Sequence, residues 1–294
     1  MIQKRKKLLI VGSSGFLGRT LLYECCAPEL EVTLLNREVK KGFSCRQYAL
    51  SDLNNIPNSY DVVVNLAALI PHGNLNLMTS ELLEANVVLP QRLIHQFPDA
   101  HHVYASSISV YKPNEKIKID EDAAILGQNA YGISKYLGEC LVKTTPKHTI
   151  LRFSNLYGPG MQIFTFLPWL ITTALDRKPL NLFGEGKRTQ DYLYVLDAAR
   201  MILAAINSPN YGIYNAVSGE SASNLQVARL VNSVIPETTI EFSGPDPKLS
   251  VSLCSRKFFQ TFGYKPTVSL EEGIESIVNS IRGSKLISVG EGLN

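Results

Sequence analysis

Tyr131 and Lys135 are the residues of this chain whose types and spacing point most clearly to catalysis. They lie four positions apart in Asn129-Ala130-Tyr131-Gly132-Ile133-Ser134-Lys135, which has the pattern of a helix start, so the phenol and the ammonium share one helix face. A phenol with its ordinary pKa of about 10 is a poor base at neutral pH, and a neighbouring cation lowers that pKa by favouring the phenolate. The pair therefore predicts acid–base chemistry at an oxygen, as hydride transfer to or from a carbonyl carbon requires.

Ser107 adds a hydroxyl to this predicted site. It ends the β-rich run 101–107, where it could donate a hydrogen bond to the same substrate oxygen, and Lys135 could also hold the ribose hydroxyls of a nicotinamide cofactor. A Tyr and a Lys four apart are common on helix surfaces, so the pair gains meaning only from the rest of the chain. The histidines and cysteines show no metal-ligand spacing, and neither a metal site nor a hydrolase triad is predicted.

A glycine-rich turn near the start of the chain is typical of a dinucleotide site. The apolar run 8–11 ends at Gly12, and Gly15 and Gly18 follow at three-residue spacing before a helical apolar pattern begins. In a strand–turn–helix unit, Gly12 makes the turn, Gly15 lets the backbone approach the pyrophosphate and Gly18 lets the helix pack on the strand. The helix N-terminus then offers free N–H groups to the phosphates.

The end of the second predicted strand bears on which dinucleotide binds. The β-rich run 31–35 is followed by Asn36 and Arg37. An acidic side chain here binds the 2′-hydroxyl of NAD and repels a 2′-phosphate, so a neutral and a cationic residue favour NADP, although NAD stays possible. Arg19 in the first helical turn is a possible second phosphate ligand, and both arginines could instead be surface charges.

Strand and helix patterns alternate along the first half of the chain. A weak strand over 45–50 precedes Asp52, whose carboxylate could accept a hydrogen bond from the adenine amino group. The run 61–68 is β-branched and ends in small residues, as in a central parallel strand that meets a flat ligand, and 81–97 has helical periodicity. This order predicts an α/β fold with a doubly wound parallel sheet of the Rossmann type and ligands at the carboxyl ends of its strands.

The composition excludes several other classes of function. The 294 residues carry a net charge of +3, with 19% charged residues, which indicates neither a nucleic-acid nor a membrane-surface partner. The longest apolar stretch, 163–175, is interrupted by Thr and Pro and is too short to span a bilayer. The cysteine pattern predicts reduced thiols, and we therefore expect a soluble cytoplasmic protein.

Ordered motifs along nearly the whole chain resemble those of one family. They are Gly12-x-x-Gly15-x-x-Gly18, Asp52-Leu53, Asn65-Leu66-Ala67-Ala68, Ser106-Ser107-Ile108-Ser109-Val110-Tyr111, Tyr131-x-x-x-Lys135, Leu151 to Gly160, Gly184-Glu185-Gly186, Gln190 to Ala199, Tyr214-Asn215-Ala216 and Phe262 to Pro266. In this order they are similar to the extended short-chain dehydrogenase/reductase family, which contains sugar-nucleotide epimerases, dehydratases and ketoreductases.

The resemblance implies a catalytic triad of Ser107, Tyr131 and Lys135, with Tyr131 as the acid/base. It also implies two sets of binding residues. The cofactor set is Gly12, Ser14, Gly15, Phe16, Leu17, Gly18, Asn36, Arg37, Asp52, Leu53, Leu66, Ala67, Ala68, Tyr131 and Lys135, and the substrate set is Ser107, Asn155, Arg188 and Gln190. Asn86 would support the site from its helix.

The resemblance also implies how the chain is divided. Residues 1–160, completed by about 188–217, would form the dinucleotide-binding domain, and residues 161–187 and 218–294 would form a smaller, mainly C-terminal α/β substrate lobe. Members of the family commonly dimerise through the helices that here carry Tyr131 and Asn86, so a homodimer is expected.

Departures from the family pattern narrow the expected reaction. Dehydratases carry an Asp-Glu pair directly after the active-site hydroxyl, where this chain has Ile108 and Ser109. Epimerase/reductases that invert a carbon beside a ketone have Cys in place of Ser109. What remains is NADP-dependent reduction of the 4-keto group of a nucleotide-linked deoxysugar, or 4-epimerisation of a sugar nucleotide with a retained cofactor.

The substrate side departs from the family as well. Gln190 stands where the family has an Arg before its Asp-Tyr pair, and a later Arg that grips the diphosphate is missing from 244–248. Since a diphosphate favours guanidinium ligands, Arg188 could compensate, and a reductase of a small non-nucleotide ketone or aldehyde stays open. A non-catalytic dinucleotide-binding protein would be expected to lack a triad member, and none is missing.

Overall fold

The computed structural model describes residues 5–25, 27–71, 77–112, 118–162 and 165–290, with side chains described as far as residue 283. The strands are β1 Lys6–Val11, β2 Leu30–Asn36, β3 Arg46–Ala49, β4 Val62–Asn65, β5 His101–Ser107, β6 His148–Phe153, β7 Asn155–Tyr157, β8 Leu180–Phe183, β9 Thr189–Tyr194, β10 Gly212–Ala216, β11 Ser221–Ser223 and β12 Ile240–Ser243. The α-helices are α1 Phe16–Glu24, α2 Ser80–Leu83, α3 Leu89–Gln96, α4 Ala130–Val142, α5 Phe166–Leu175, α6 Val195–Ile206, α7 Asn224–Val234, α8 Arg256–Phe262 and α9 Leu270–Gly290. None of these described helices has the length and apolarity needed to cross a bilayer.

Seven parallel strands form the central sheet, in the order β10-β6-β5-β4-β1-β2-β3. The chain runs outward from β1 through β2 to β3, returns to β4 on the other side of β1, and continues outward through β5, β6 and β10. This reversal opens a crevice at the carboxyl ends of β1 and β4, which is where doubly wound sheets bind ligands. The predicted doubly wound parallel sheet is therefore confirmed.

Strand β1 shows why helices cover both faces of the sheet. Its Leu8 and Ile10 are buried in the cluster that includes α1 and α6, whereas Leu9 and Val11 belong to the cluster on the other face, with α3. A strand that is buried on both faces needs apolar residues at every position, which explains the uninterrupted apolar run 8–11.

The helix predicted over residues 81–97 is interrupted. It begins at Ser80, because the Oγ1 of Thr79 accepts a hydrogen bond from the backbone N–H of Leu82 at 3.2 Å. A single π turn, Glu84–Val88, separates α2 from α3 and contains Asn86. Such turns are rare and frequently lie at functional sites.

A separate apolar cluster joins α5, α7 and α9 with strand β8. Two small sheets complete the fold, one of three strands in the order β11-β9-β7 and one pairing β12 with β8. The apolar stretch predicted as lobe core over 163–175 begins its helix at Phe166, while residues 163 and 164 lie outside the described residues. The division into a dinucleotide-binding domain and a substrate lobe stays a prediction.

Candidate active site

Ser107 and Tyr131 lie side by side where β5 ends and α4 begins, close enough for the Ser107 hydroxyl to act on the pKa of the phenol. Helix α4 starts at this place because the side chain of Asn129 accepts a hydrogen bond from the backbone N–H of Gly132 at 2.9 Å. Gly132 also lets the helix approach closely, since a Cβ there would lie 2.9 Å from the carbonyl carbon of Ser109. The structure thus brings together two residues that are 24 positions apart in the sequence.

Burial, rather than Lys135, dominates the acidity of Tyr131. Burial raises the pKa of Tyr131 to about 12, and the neighbouring Ser107 hydroxyl acts in the opposite direction. The expectation that Lys135 lowers this pKa is therefore wrong for this structure. The reason is that the ammonium is buried as well, and burial lowers the pKa of Lys135 to about 7 although the carboxylate of Glu139 raises it.

Lys135 is 1% exposed, and its Nζ finds no hydrogen-bond partner among the described residues. The Nζ lies 4.0 Å from the centroid of the Tyr104 ring. A buried ammonium without an acceptor is costly, so its three donors are available to an incoming group. Hydroxyls of a nicotinamide ribose are groups of this kind, and in this respect the residues fit the cofactor.

At two of the three glycines in the turn the backbone leaves no space for a Cβ, and at the third it does. Gly12 has φ +83°, and a Cβ there would lie 2.7 Å from the backbone N of Ala67. A Cβ on Gly18 would lie 2.7 Å from the Cα of Ser13. At Gly15 a Cβ would make an ordinary contact of 3.4 Å with the carbonyl oxygen of Gly12.

The N-terminus of α1 is open to an anion. Gly15 is its N-cap, no side chain caps the helix, and no acidic residue lies in its first turn, which contains Phe16 and Leu17. Since the protein does not require glycine at position 15, the space beside it suits a phosphate that approaches the backbone. The turn therefore fits a dinucleotide pyrophosphate.

The side chain of Asn36 is hydrogen-bonded to the glycine turn. Its Oδ1 accepts hydrogen bonds from the Ser14 backbone N–H and the Ser13 hydroxyl, each at 3.1 Å, and the residue is buried. Arg37, the next residue, is exposed, as is Arg19 in α1. Of the residues predicted at this strand end, Arg37 is thus the one whose charge is free to meet a phosphate.

Two further segments predicted to contact the cofactor follow strands β4 and β3 of the central sheet. Leu66, Ala67 and Ala68 follow β4, and the backbone N–H of Ala67 donates to the Oδ1 of Asn65 at 3.1 Å. Asp52 and Leu53 lie in the 3₁₀ turn Leu50–Asn55, where Leu53 is fully buried in the cluster with α3 and Asp52 is half-buried. Their contacts with a cofactor stay predictions.

The predicted substrate residues Asn155, Arg188 and Gln190 lie on or next to the paired strands β7 and β9. The Nδ2 of Asn155 donates to the carbonyl oxygen of Asp191 at 2.9 Å. Nη2 of Arg188 donates to Oε1 of Gln190 at 2.8 Å, while Nε of Arg188 is buried without a hydrogen-bond partner in the described chain. Gln190 is itself held, since its Nε2 donates to the Tyr192 hydroxyl at 3.0 Å and to Oδ1 of Asn224 at 3.1 Å.

Sequence reasoning missed Glu139, which lies one helical turn beyond Lys135. Its carboxylate is fully buried and accepts hydrogen bonds from the Ser106 hydroxyl at 2.5 Å and from Nε and Nη2 of Arg152 at 2.9 and 2.7 Å. The spacing of four from Lys135 was a signal, but the partners come from two other strands. Tyr104, below Lys135, was missed because nothing local distinguishes it from other core aromatics.

No group of His, Cys, Asp and Glu suited to a metal ion occurs in the described ranges. His101 lies instead near Thr149, with Nε2 and Oγ1 2.8 Å apart. His102 and His148 likewise bond to backbone oxygens, whereas His72 lies outside the described residues.

Comparison with known proteins finds similarity along most of the chain. Residues 8–216 match the model of the NAD dependent epimerase/dehydratase family. Relatives include the dTDP-4-dehydro-6-deoxyglucose reductase of Escherichia coli, 23% identical over 96% of this chain and 99% of the relative. Another is the uncharacterized UDP-glucose epimerase YtcB of Bacillus subtilis, 26% identical over 91% of this chain and 95% of the relative. The solved UDP-glucuronic acid 4-epimerase from Bacillus cereus, in complex with UDP-glucuronic acid and NAD, has the same fold, with a TM-score of 0.83, 23% identity, and coverage of 95% of this chain and 99% of that one.

Proposed function

Since this chain belongs to the NAD dependent epimerase/dehydratase family of enzymes, we propose that it is an NADP-dependent reductase of the 4-keto group of a nucleotide-linked deoxysugar. The observation that carries the proposal is that Ser107 lies beside the phenol of Tyr131, with the buried ammonium of Lys135 one helical turn away. This group lies at the carboxyl edge of the sheet, as does the uncapped glycine turn that suits a pyrophosphate.

NADPH, when bound, would provide the hydride for the keto carbon, and the chain supplies the proton. Tyr131 gives the proton of its hydroxyl to the keto oxygen, so that the carbonyl becomes an alcohol and the tyrosine a phenolate. Ser107 donates a hydrogen bond to the same oxygen and orients it. Lys135 stabilises the phenolate until a solvent proton restores the phenol.

Tyr131 is in the protonation state that reduction requires. With a pKa raised to about 12, the phenol stays protonated at neutral pH and is ready to act as an acid. Dehydration needs further acid and base groups beside Ser107, where Ile108 packs in an apolar cluster and Ser109 donates its backbone N–H to the Ser107 hydroxyl at 3.2 Å.

The strand end after β2 supports NADP over NAD. Asn36 is neutral and engaged by the glycine turn, and the exposed guanidinium of Arg37 follows it. A guanidinium pairs with a phosphate through parallel hydrogen bonds, whereas a ribose hydroxyl gains little from it.

The substrate side supports an anionic ligand. Gln190 holds the guanidinium of Arg188, whose Nε keeps an unused donor. We expect this guanidinium to bind the diphosphate of the sugar nucleotide, with Gln190 acting through it and Asn155 nearby. Exposed Ile133 and Leu137 on α4 support a homodimer formed through this helix, and we expect the protein in the cytoplasm.

The test is oxidation of NADPH by purified protein in the presence of dTDP-4-dehydro-6-deoxyglucose. We expect turnover that falls at least about 100-fold in Tyr131→Phe, because the proton donor is lost. Circular dichroism and NADPH binding serve as controls for folding and for the cofactor site. Unchanged turnover in a folded Tyr131→Phe protein would overturn the mechanism.

A sugar-nucleotide 4-epimerase is the second candidate, because YtcB is named as a UDP-glucose epimerase and the similar Bacillus cereus structure as a UDP-glucuronic acid 4-epimerase. It predicts a dinucleotide that remains bound through purification and conversion of UDP-glucose to its 4-epimer without net NADPH consumption. Mass spectrometry of the purified protein and product analysis together separate the two functions. NADPH oxidation with simple ketones, without binding of nucleoside diphosphates, would indicate a small-ketone reductase instead.

A further inference from the structure

The ammonium of Lys135 rests on an aromatic ring to which the proposed mechanism gives no role. Its Nζ lies 4.0 Å from the centroid of the Tyr104 ring, well within the range of a cation–π contact. None of the described residues offers this Nζ a hydrogen-bond acceptor. The face of the ring is therefore the direct contact of a buried positive charge.

Three elements hold this ring in place. Tyr104, in β5, is 1% exposed, and its hydroxyl donates to the carbonyl oxygen of Asn86 in the π turn at 3.3 Å. Asn86 is fixed in turn by its side chain, which accepts from Leu69 N–H and donates to Leu69 O, both at 3.0 Å. On α4, Gly138 provides space for the ring, since a Cβ at this position would lie 2.9 Å from Cζ of Tyr104 and 2.5 Å from the backbone oxygen of Asn86.

The other titratable groups around Lys135 are either neutral or paired with another charged side chain. On α4, Tyr131 is protonated at neutral pH, and the Glu139 carboxylate receives two hydrogen bonds from the guanidinium of Arg152, which comes from β6. The carboxylate of Glu139 raises the pKa of Lys135, although it is also paired with Arg152. The ring of Tyr104 is a second source of negative potential and faces the ammonium directly.

We propose that Tyr104 is a positioning residue that keeps Lys135 protonated and directed toward the nicotinamide ribose and Tyr131. The consequence for catalysis rests on the proposed function, whereas the charge state of Lys135 does not. A cation–π contact in a desolvated site corresponds to a shift of about one pH unit in the titration of the lysine.

The test compares Tyr104→Phe, which keeps the ring, with Tyr104→Leu and Tyr104→Met, which remove it while filling the space. Protein labelled with carbon-13 at lysine Cε is titrated by NMR, and the Lys135 signal is assigned from its loss in Lys135→Arg. We expect the Lys135 midpoint to fall by about one pH unit in the Leu and Met variants and to stay at the wild-type value in the Phe variant. The two apolar variants guard against a failure of either one to fold.

An equal midpoint in wild type and both apolar variants, or a Phe variant that shifts as far as they do, would overturn the proposal. The pH profile of NADPH oxidation gives a second readout, in which loss of the ring moves the decline at high pH to lower pH by the same amount. If the NMR shifts occur but wild-type protein oxidises no NADPH with any nucleotide-linked keto sugar, the proposed function fails while the role of Tyr104 stands.

Discussion

Ser107, the last residue of β5, lies beside Tyr131 in the first turn of α4, and its hydroxyl acts against the burial that raises the pKa of the phenol. Ser107 is fixed from the other side, because its hydroxyl accepts from the backbone N–H of Ser109 and donates to the Ser109 hydroxyl, both at 3.2 Å. The proton donor and the hydroxyl that would orient a substrate oxygen are thus prearranged by backbone geometry.

Replacing Ser107 with Ala removes one donor to the substrate oxygen and should lower kcat by about 100-fold. The affinity for NADPH should not change, because the pyrophosphate and ribose contacts are elsewhere. Steady-state kinetics and NADPH fluorescence titration provide the two measurements. An equal loss of NADPH affinity would show that Ser107 shapes the cofactor site instead.

Gly12 and Gly15 should respond differently to the same substitution. Gly12→Ala introduces a Cβ at positive φ against the backbone of Ala67 and should destabilise the fold by more than about 2 kcal/mol. Gly15→Ala should change stability by less than about 1 kcal/mol, since its φ of −74° suits Ala, yet weaken dinucleotide binding. Urea unfolding and NADPH titration measure both effects, and a Gly15→Ala protein that binds NADPH normally would contradict the assignment of the phosphate site.

The Arg37 guanidinium should discriminate between the two dinucleotides. Arg37→Ser should weaken NADPH binding by about 10-fold or more and leave NADH binding nearly unchanged, because only NADPH carries the 2′-phosphate. Lys40→Ser is a matched control, as it removes a cation of the same exposed segment. Equal effects of both substitutions would indicate a general loss of positive charge.

Arg188 should bind the diphosphate, and Gln190 should act through it. Arg188→Ala should weaken the binding of dTDP by about 10- to 100-fold, and Gln190→Ala by about 3- to 10-fold, since the latter only releases the guanidinium. Isothermal titration calorimetry with dTDP measures this without turnover. Lys187→Ala is the control, because the exposed Lys187 pairs with Glu185, and a comparable loss in that variant would exclude a specific role for Arg188.

His101 should make the fold sensitive to acid. Burial, together with the nearby charges of His102 and Lys6, lowers its pKa in the folded protein to about 4, below the value of about 6.5 in an unfolded chain. The free energy of unfolding is therefore not reduced by His101 above pH 6.5. It falls by about 3 kcal/mol in all as the pH drops toward 4, because the unfolded chain binds the proton first. Urea unfolding should show that the free energy of unfolding falls less between pH 6.5 and 4 in His101→Gln than in the wild type. An identical pH dependence in the two proteins would rule out His101 as the source of the acid sensitivity.

Much of this arrangement follows from local sequence. The apolar runs, the glycine spacing and the helical pattern of the Tyr131 segment determine the order of strands and helices, because each depends on residues within a few positions of one another. Parallel strands end at one edge of their sheet, so Ser107 and the glycine turn could be predicted to share that edge.

The chemistry of the site depends on contacts that only the tertiary structure creates. The sequence placed Lys135 beside Tyr131, but burial of both groups reverses the expected effect on the pKa of Tyr131. Glu139 meets Ser106 and Arg152 across separations of 33 and 13 residues, so its charge is already engaged. Desolvation and long-range pairing are sums over the whole fold, and no local pattern of residues records them.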